Sequence, residues 1–172
     1  MTRVGRGQAA ISALLVFLGL AGCAPRPLTP EDVEASCRVD RDDFKAQKRY
    51  VGPTANINLD VFFSASASSP ADREFALTVT FRLKEWAFLN ACYAKGGKQL
   101  VTHVRDHQIN SGGNYMDLLE ELVIIVPRPD AEAAAGAPGG LELKCFGKRG
   151  DYQFAVPQAY WKGWLTWLAK QG

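Results

Sequence analysis

Apolar residues recur along this chain with three spacings, and each spacing predicts a different element. Residues 9–21 (AAISALLVFLGLA) form a nearly continuous apolar run. From about residue 50 the spacing becomes two. Ile57, Leu59, Val61 and Phe63 alternate with Asn58, Asp60, Phe62 and Ser64, and Phe75, Leu77, Val79, Phe81 and Leu83 alternate with Ala76, Thr78, Thr80 and Arg82. Both segments read as half-buried strands, joined by a polar loop over residues 64–70 (SASASSP). Residues 84–95 carry helical propensity, and Gly96 suits a helix C-cap. Against that, Trp86, Phe88 and Cys92 share a period-two face, and Gly96-Gly97 between lysines is a hairpin signal. A hairpin is therefore favoured, with residues 100–105 as its second arm. Residues 119–126 end in five apolar positions on both faces, as a strand paired on both edges would, and Pro127 and Pro129 stop it. A short helix follows over 130–135, closed by residues 136–140, and then a hairpin of 141–146 and 152–156 around 147–151. After Pro157 the spacing is helical. Tyr160, Trp161, Trp164, Leu165, Trp167 and Leu168 share one face, and Lys162, Thr166 and Lys170 take the other. The predicted fold is mainly β, an antiparallel sheet or sandwich with a C-terminal amphipathic helix, α+β overall, in one domain over residues 31–172.

The N-terminus has a different logic. Arg3 and Arg6 precede the apolar run, no acid accompanies them, and small residues follow. That is the pattern of a secretory signal peptide, and the run is shorter than the roughly 20 residues a membrane span needs. At Leu20-Ala21-Gly22-Cys23 the chain resembles the bacterial membrane lipoproteins, matching all four positions of their lipobox. The resemblance implies removal of residues 1–22, a diacylglycerol on the Cys23 thiol, and a further acyl chain, such as palmitate, on the new amino group. Two or three chains anchor stably where one is marginal. Ala24 in place of Asp implies sorting to the outer membrane, facing the periplasm. The resemblance covers residues 1–23 only and implies an address, not an activity. Residues 23–30 then read as a lipidated cysteine and a proline-rich tether without packing. Thr29 as N-cap, Pro30 at the first helical position and Glu31-Asp32 in the first turn predict a short helix to about Cys37.

Composition narrows the function. The whole chain carries 20 basic and 18 acidic residues, and loss of Arg3 and Arg6 leaves 18 of each. A neutral body argues against nucleic acid, which needs an excess of cations.

With Cys23 lipidated, Cys37, Cys92 and Cys145 remain. Cys92 and Cys145 both fall in predicted strands, and a bridge between them closes a loop of about 53 residues, worth on the order of 4 kcal/mol. Pairing of Cys37 with either, or three free thiols, are the alternatives. His103 and His107 are the candidate metal ligands, on one face of a regular strand, but zinc takes three or four ligands and the chain has no other His. No metal site and no cofactor are expected. No catalytic residue is assigned: Gly-x-Ser-x-Gly is absent, and the neighbours Glu120 and Glu121 point to opposite faces of a strand. Arg149-Gly150-Asp151 reads as a hairpin loop in which Gly150 supplies a positive φ. Trp161, Trp164 and Trp167 either complete the core or form a contact surface. The expected function is non-enzymatic, through protein contacts in an envelope complex. The alternatives are a small-ligand-binding lipoprotein, with a pocket between sheet and terminal helix, and an envelope hydrolase with an unrecognised site.

Overall fold

The computed structural model describes residues 27–42, 47–112 and 115–172. The expected signal segment, residues 1–22, and Cys23 lie outside the described residues.

The elements run α1 (Pro30–Ser36), β1 (Arg38–Asp42), β2 (Gln47–Val51), β3 (Ala55–Asn56), β4 (Val61–Ala67), β5 (Glu74–Leu83), β6 (Leu89–Ala94), β7 (Lys98–Leu100), β8 (Thr102–Gly112), β9 (Tyr115–Pro127), α2 (Arg128–Gly136), β10 (Leu141–Gly147), β11 (Asp151–Val156) and α3 (Gln158–Ala169). The larger sheet has the order β1-β2-β4-β5-β9-β8, with β3 also on β4, and the smaller has the order β11-β10-β6-β7. The pairings are antiparallel throughout, so the protein is α+β, mainly β, with a C-terminal helix.

The period-two pattern decides the layers. Phe75, Leu77, Val79, Phe81 and Leu83 of β5 are buried, as are Leu118, Leu122, Ile124 and Val126 of β9. Together with Val61, Phe63 and Ala65 of β4 they make one apolar inner face. That face is covered in two halves. The smaller sheet covers the Phe81 half, where Phe81 meets Phe154 at 5.5 Å and Tyr152 at 5.7 Å between ring centroids. The helices cover the Phe75 half, where Trp164 packs edge-on against Phe75 at 6.3 Å and Tyr160 against Phe63 at 4.8 Å. The chain crosses between the sheets at Val101, from β7 to β8. No described helix is long and apolar enough to cross a membrane.

Several sequence expectations are corrected. Ile57 and Leu59 are not in a strand. Asn58 accepts hydrogen bonds from the Asp60 and Val61 amides through its side-chain oxygen, a turn that leaves Leu59 77% exposed. Residues 64–67 are not loop but the end of β4, with Ala65, Ser66 and Ala67 buried. Their small size lets α3 approach closely, which outweighs weak strand propensity. Trp86 and Phe88 are not in β6, which begins at Leu89, and the strands β1 and β2 carry no clear apolar alternation. The tether is shorter than residues 23–30: Leu28 packs against the core, Thr29 caps α1 by accepting from the Asp32 amide at 3.2 Å, and Pro30 already begins the helix.

Candidate functional site

Cys92 and Cys145 sit directly opposite each other on β6 and β10 and are joined by a disulfide. Cys37 stays free. Its thiol donates to the Val33 carbonyl at 3.1 Å, and burial, then the Glu34 charge, push its pKa up to about 12. Such a thiol is protonated and poorly nucleophilic at neutral pH.

The two histidines do not converge. β8 carries a bulge between Val104 and Asp106, and the extra residue shifts the side-chain phase by one. His103 pairs with Val123, on the outer face, whereas His107 pairs with Glu120, on the inner one. Positions four apart, which share a face on a regular strand, are thereby put on opposite faces. Among the described residues no group of three His, Cys, Asp or Glu side chains is placed to hold a metal ion.

The tryptophans of α3 are mostly core. Trp161 and Trp164 are fully buried and offer no contact surface. Trp167 is half-buried, stacked on Trp164 at 5.5 Å and against Tyr50 at 6.1 Å. The same side chains, with Tyr160 and Leu168, fill the space between sheet and terminal helix where a ligand pocket was expected.

The structure instead draws attention to an assembly not foreseen from sequence, around residues 84–88. Glu120 lies on the inner face of β9, between Phe81 of β5 and His107 of β8, and is 1% exposed. Its carboxylate accepts three backbone N–H groups, from Ala87 at 2.7 Å, Phe88 at 2.8 Å and Leu89 at 2.9 Å. These bonds hold Phe88 at φ +55°, the one non-glycine in the left-handed region among the described residues. For a bulky side chain that conformation costs about 1–3 kcal/mol. The result is a ring turned outward, 37% exposed. Phe88 lies 6.4 Å from Trp86 and 6.1 Å from His107, and Trp86 and His107 are 5.4 Å apart. The Arg149 guanidinium sits over Phe88 at 5.6 Å. The loop carrying Arg149 is locked in place, since the Arg149 amide donates to the Ala87 carbonyl at 3.1 Å and Gly147 leaves no room for a Cβ, which would come within 2.3 Å of that oxygen. Gly150 does not take the expected positive φ; the loop closes through the Gly147 amide donating to the Gly150 carbonyl at 2.9 Å. One signal for this site was legible. The alternation Leu118, Glu120, Leu122, Ile124, Val126 puts one acid on an apolar face, where it must find donors.

Among the grooves of the described surface, two flank the sheets from outside. Outside the smaller sheet, one of about 640 Å³ is lined by Ala91, Tyr93, Lys144, Phe146 and Gln153. Outside the larger sheet, one of about 260 Å³ lies among Arg38, Arg49, Ser64, Thr78, Thr80 and Arg105. Arg105 is paired with Glu121 at 3.0 Å and Arg38 with Asp40 at 2.9 Å. No protein-family model, curated protein or solved structure matches the chain.

Proposed function

We propose that this protein is a lipid-anchored component of the bacterial envelope, held at the outer membrane by Cys23, and that it works without catalysis, by contacting other envelope proteins. The observation that carries this reading is the Leu20-Ala21-Gly22-Cys23 box behind a basic start and a short apolar run. The fold adds two supports. Leu28 already packs against the core, so five residue steps from Cys23, at most about 18 Å of chain, separate anchor from body. The helical end of the domain is thereby kept near the bilayer. The Trp86–Phe88–His107 cluster lies toward the other end of β5, level with Phe81, six residues along the strand from Phe75, or roughly 20 Å away. It faces away from the anchored end, where a partner in the periplasm is met.

The test is the mature N-terminus. Intact mass spectrometry is expected to show a chain beginning at an acylated Cys23. Detergent-phase partitioning is expected to be lost in Cys23→Ala. An unmodified Cys23, or a start elsewhere, overturns the reading. The groove beside Tyr93 and Phe146 favours a second reading, small-ligand binding, because it is concave, largely apolar and within the usual ligand-pocket size. A thermal-shift screen in which no lipid, sugar or peptide raises the melting temperature counts against it.

A further inference from the structure

The geometry points to the outer edge of β8 as a docking site for an extended segment of a partner protein, added as one more strand. This rests on the contact-making role proposed above and names the surface that performs it. Three independent observations carry it. First, β8 is an eleven-residue strand at the end of the larger sheet, and among the described residues no strand pairs with its second edge. A row of open backbone donors and acceptors is satisfied in register by another backbone, which a sugar or a lipid does not supply.

Second, exposed apolar side chains gather along this edge. Of the eight large ones among the described residues, Val101, Val104, Ile109 and Phe88 lie on or beside it. Val104, His107 and Ile109 pair with Leu122, Glu120 and Leu118, so all three project on the inner side of the sheet, in line with the Trp86–Phe88 cluster. Val104 is 46% and Ile109 58% exposed. Third, the cluster is held in place at the expense of backbone strain at Phe88, which the buried Glu120 carboxylate sustains.

The chemistry of the occupant follows. Its residues alternate, apolar on the side that meets Val104, Ile109 and Phe88, and polar on the side that meets Asp106 and Gln108, which share the outer face with Glu121 and Leu119. It carries an acidic group near Arg149, whose guanidinium lies over Phe88 and pairs with no carboxylate among the described residues. A second copy of this chain fits less well, because the inward residues that its own β8 would present, Thr102, Val104, His107 and Ile109, include no acid to meet Arg149.

The experiment places the photo-crosslinker p-benzoylphenylalanine at Val104 or Ile109 in the full-length lipoprotein, in the cells that make it, with Leu59 and Lys162 as exposed controls. The expected result is an adduct of one mass from both β8 positions and none from the controls. Two further sets of variants are read with the label at Val104. Phe88→Gly removes the ring at a φ that glycine adopts freely, so the domain stays folded, and the adduct is expected to fall at least tenfold. Gln108→Pro and Ile109→Pro form a pair, because adjacent amides of a strand point to opposite edges. One of them removes a bond to β9 and lowers the melting temperature. The other removes a donor of the open edge, keeps its melting temperature, and is expected to lose the adduct. Adducts only from Leu59 or Lys162, or adducts that persist in Phe88→Gly and in the fully stable proline variant, overturn this surface while leaving the contact-making role standing. An adduct of twice the chain mass replaces the partner with a second copy and overturns the proposal. Adducts from no position overturn the role and the surface together.

Discussion

Single polar atoms placed in the core carry much of the specificity of this fold. The Tyr160 hydroxyl accepts from the Ala65 amide at 2.7 Å and donates to the Pro53 carbonyl at 3.0 Å, where β2 turns away from β4. Burial holds its pKa far above the ordinary phenol range, so it stays a donor at any physiological pH. Tyr160→Phe keeps the ring against Phe63 but orphans both backbone groups. It is expected to lower stability by about 1–3 kcal/mol in urea unfolding. Glu120→Gln offers one acceptor oxygen to three amides and turns its own NH₂ toward them. A loss of about 2–3 kcal/mol or more is expected by the same measurement. Cys37, with its pKa near 12, is expected to react with iodoacetamide at pH 8 roughly a hundredfold or more slowly in the native protein than in urea. Because the folded value lies above the ordinary thiol value of 9.0, this thiol contributes stability below pH 9 that is lost as the pH rises toward 12. None of these three environments was legible in the sequence, except that Glu120 falls on an apolar face. A hydroxyl or thiol in an apolar pattern does not say which distant backbone it will meet.

At the scale of elements, helices and hairpins that rest on local rules emerged where the sequence placed them. Thr29 and Pro30 start α1, Gly96 and Gly97 turn the β6–β7 hairpin at φ +94° and +86°, and Pro157 precedes α3; the second arm of that hairpin is Lys98–Leu100 rather than the expected 100–105, because the chain leaves for the larger sheet after Leu100. Elements that depend on neighbours did not. β4 continues through Ser64 and Ser66 because β5 pairs it and α3 needs small residues beneath it. β8 bulges at Arg105, which a strictly alternating pattern does not reveal. The contact between α1 and α3 offers a test in which two local effects oppose. Gly163 lies inside α3, where alanine is intrinsically better by about 1 kcal/mol. Yet a Cβ there would come within 2.2 Å of the Pro30 carbonyl oxygen and 2.8 Å of Val33. Gly163→Ala is expected to destabilise by about 1–3 kcal/mol, because overpacking outweighs propensity. A rise in melting temperature would show that α1 can move away.

Across the whole molecule, one inner face is shared by two different covers, the smaller sheet and the helices, and the disulfide belongs to the first. Cys92–Cys145 joins two strands already paired, closing a loop of 53 residues. Reduction, or Cys92→Ser with Cys145→Ser, is expected to cost about 4 kcal/mol through the entropy of the unfolded chain. On a domain of this size that is a fall of about 10 °C in melting temperature, checked by calorimetry with and without reductant. The sequence by itself determined what depends on near neighbours: the strand alternation, the caps and turns, and the amphipathic last helix; the resemblance at Leu20-Ala21-Gly22-Cys23, on which the proposed anchoring rests, is likewise a linear string. The tertiary structure alone decided which cysteines meet, that Trp161 and Trp164 are core rather than surface, that His103 and His107 part company, and that a buried acid thrusts Phe88 outward. Those outcomes depend on contacts between residues tens of positions apart. Such contacts are set by strand register and layer packing, and periodicity constrains these without fixing them.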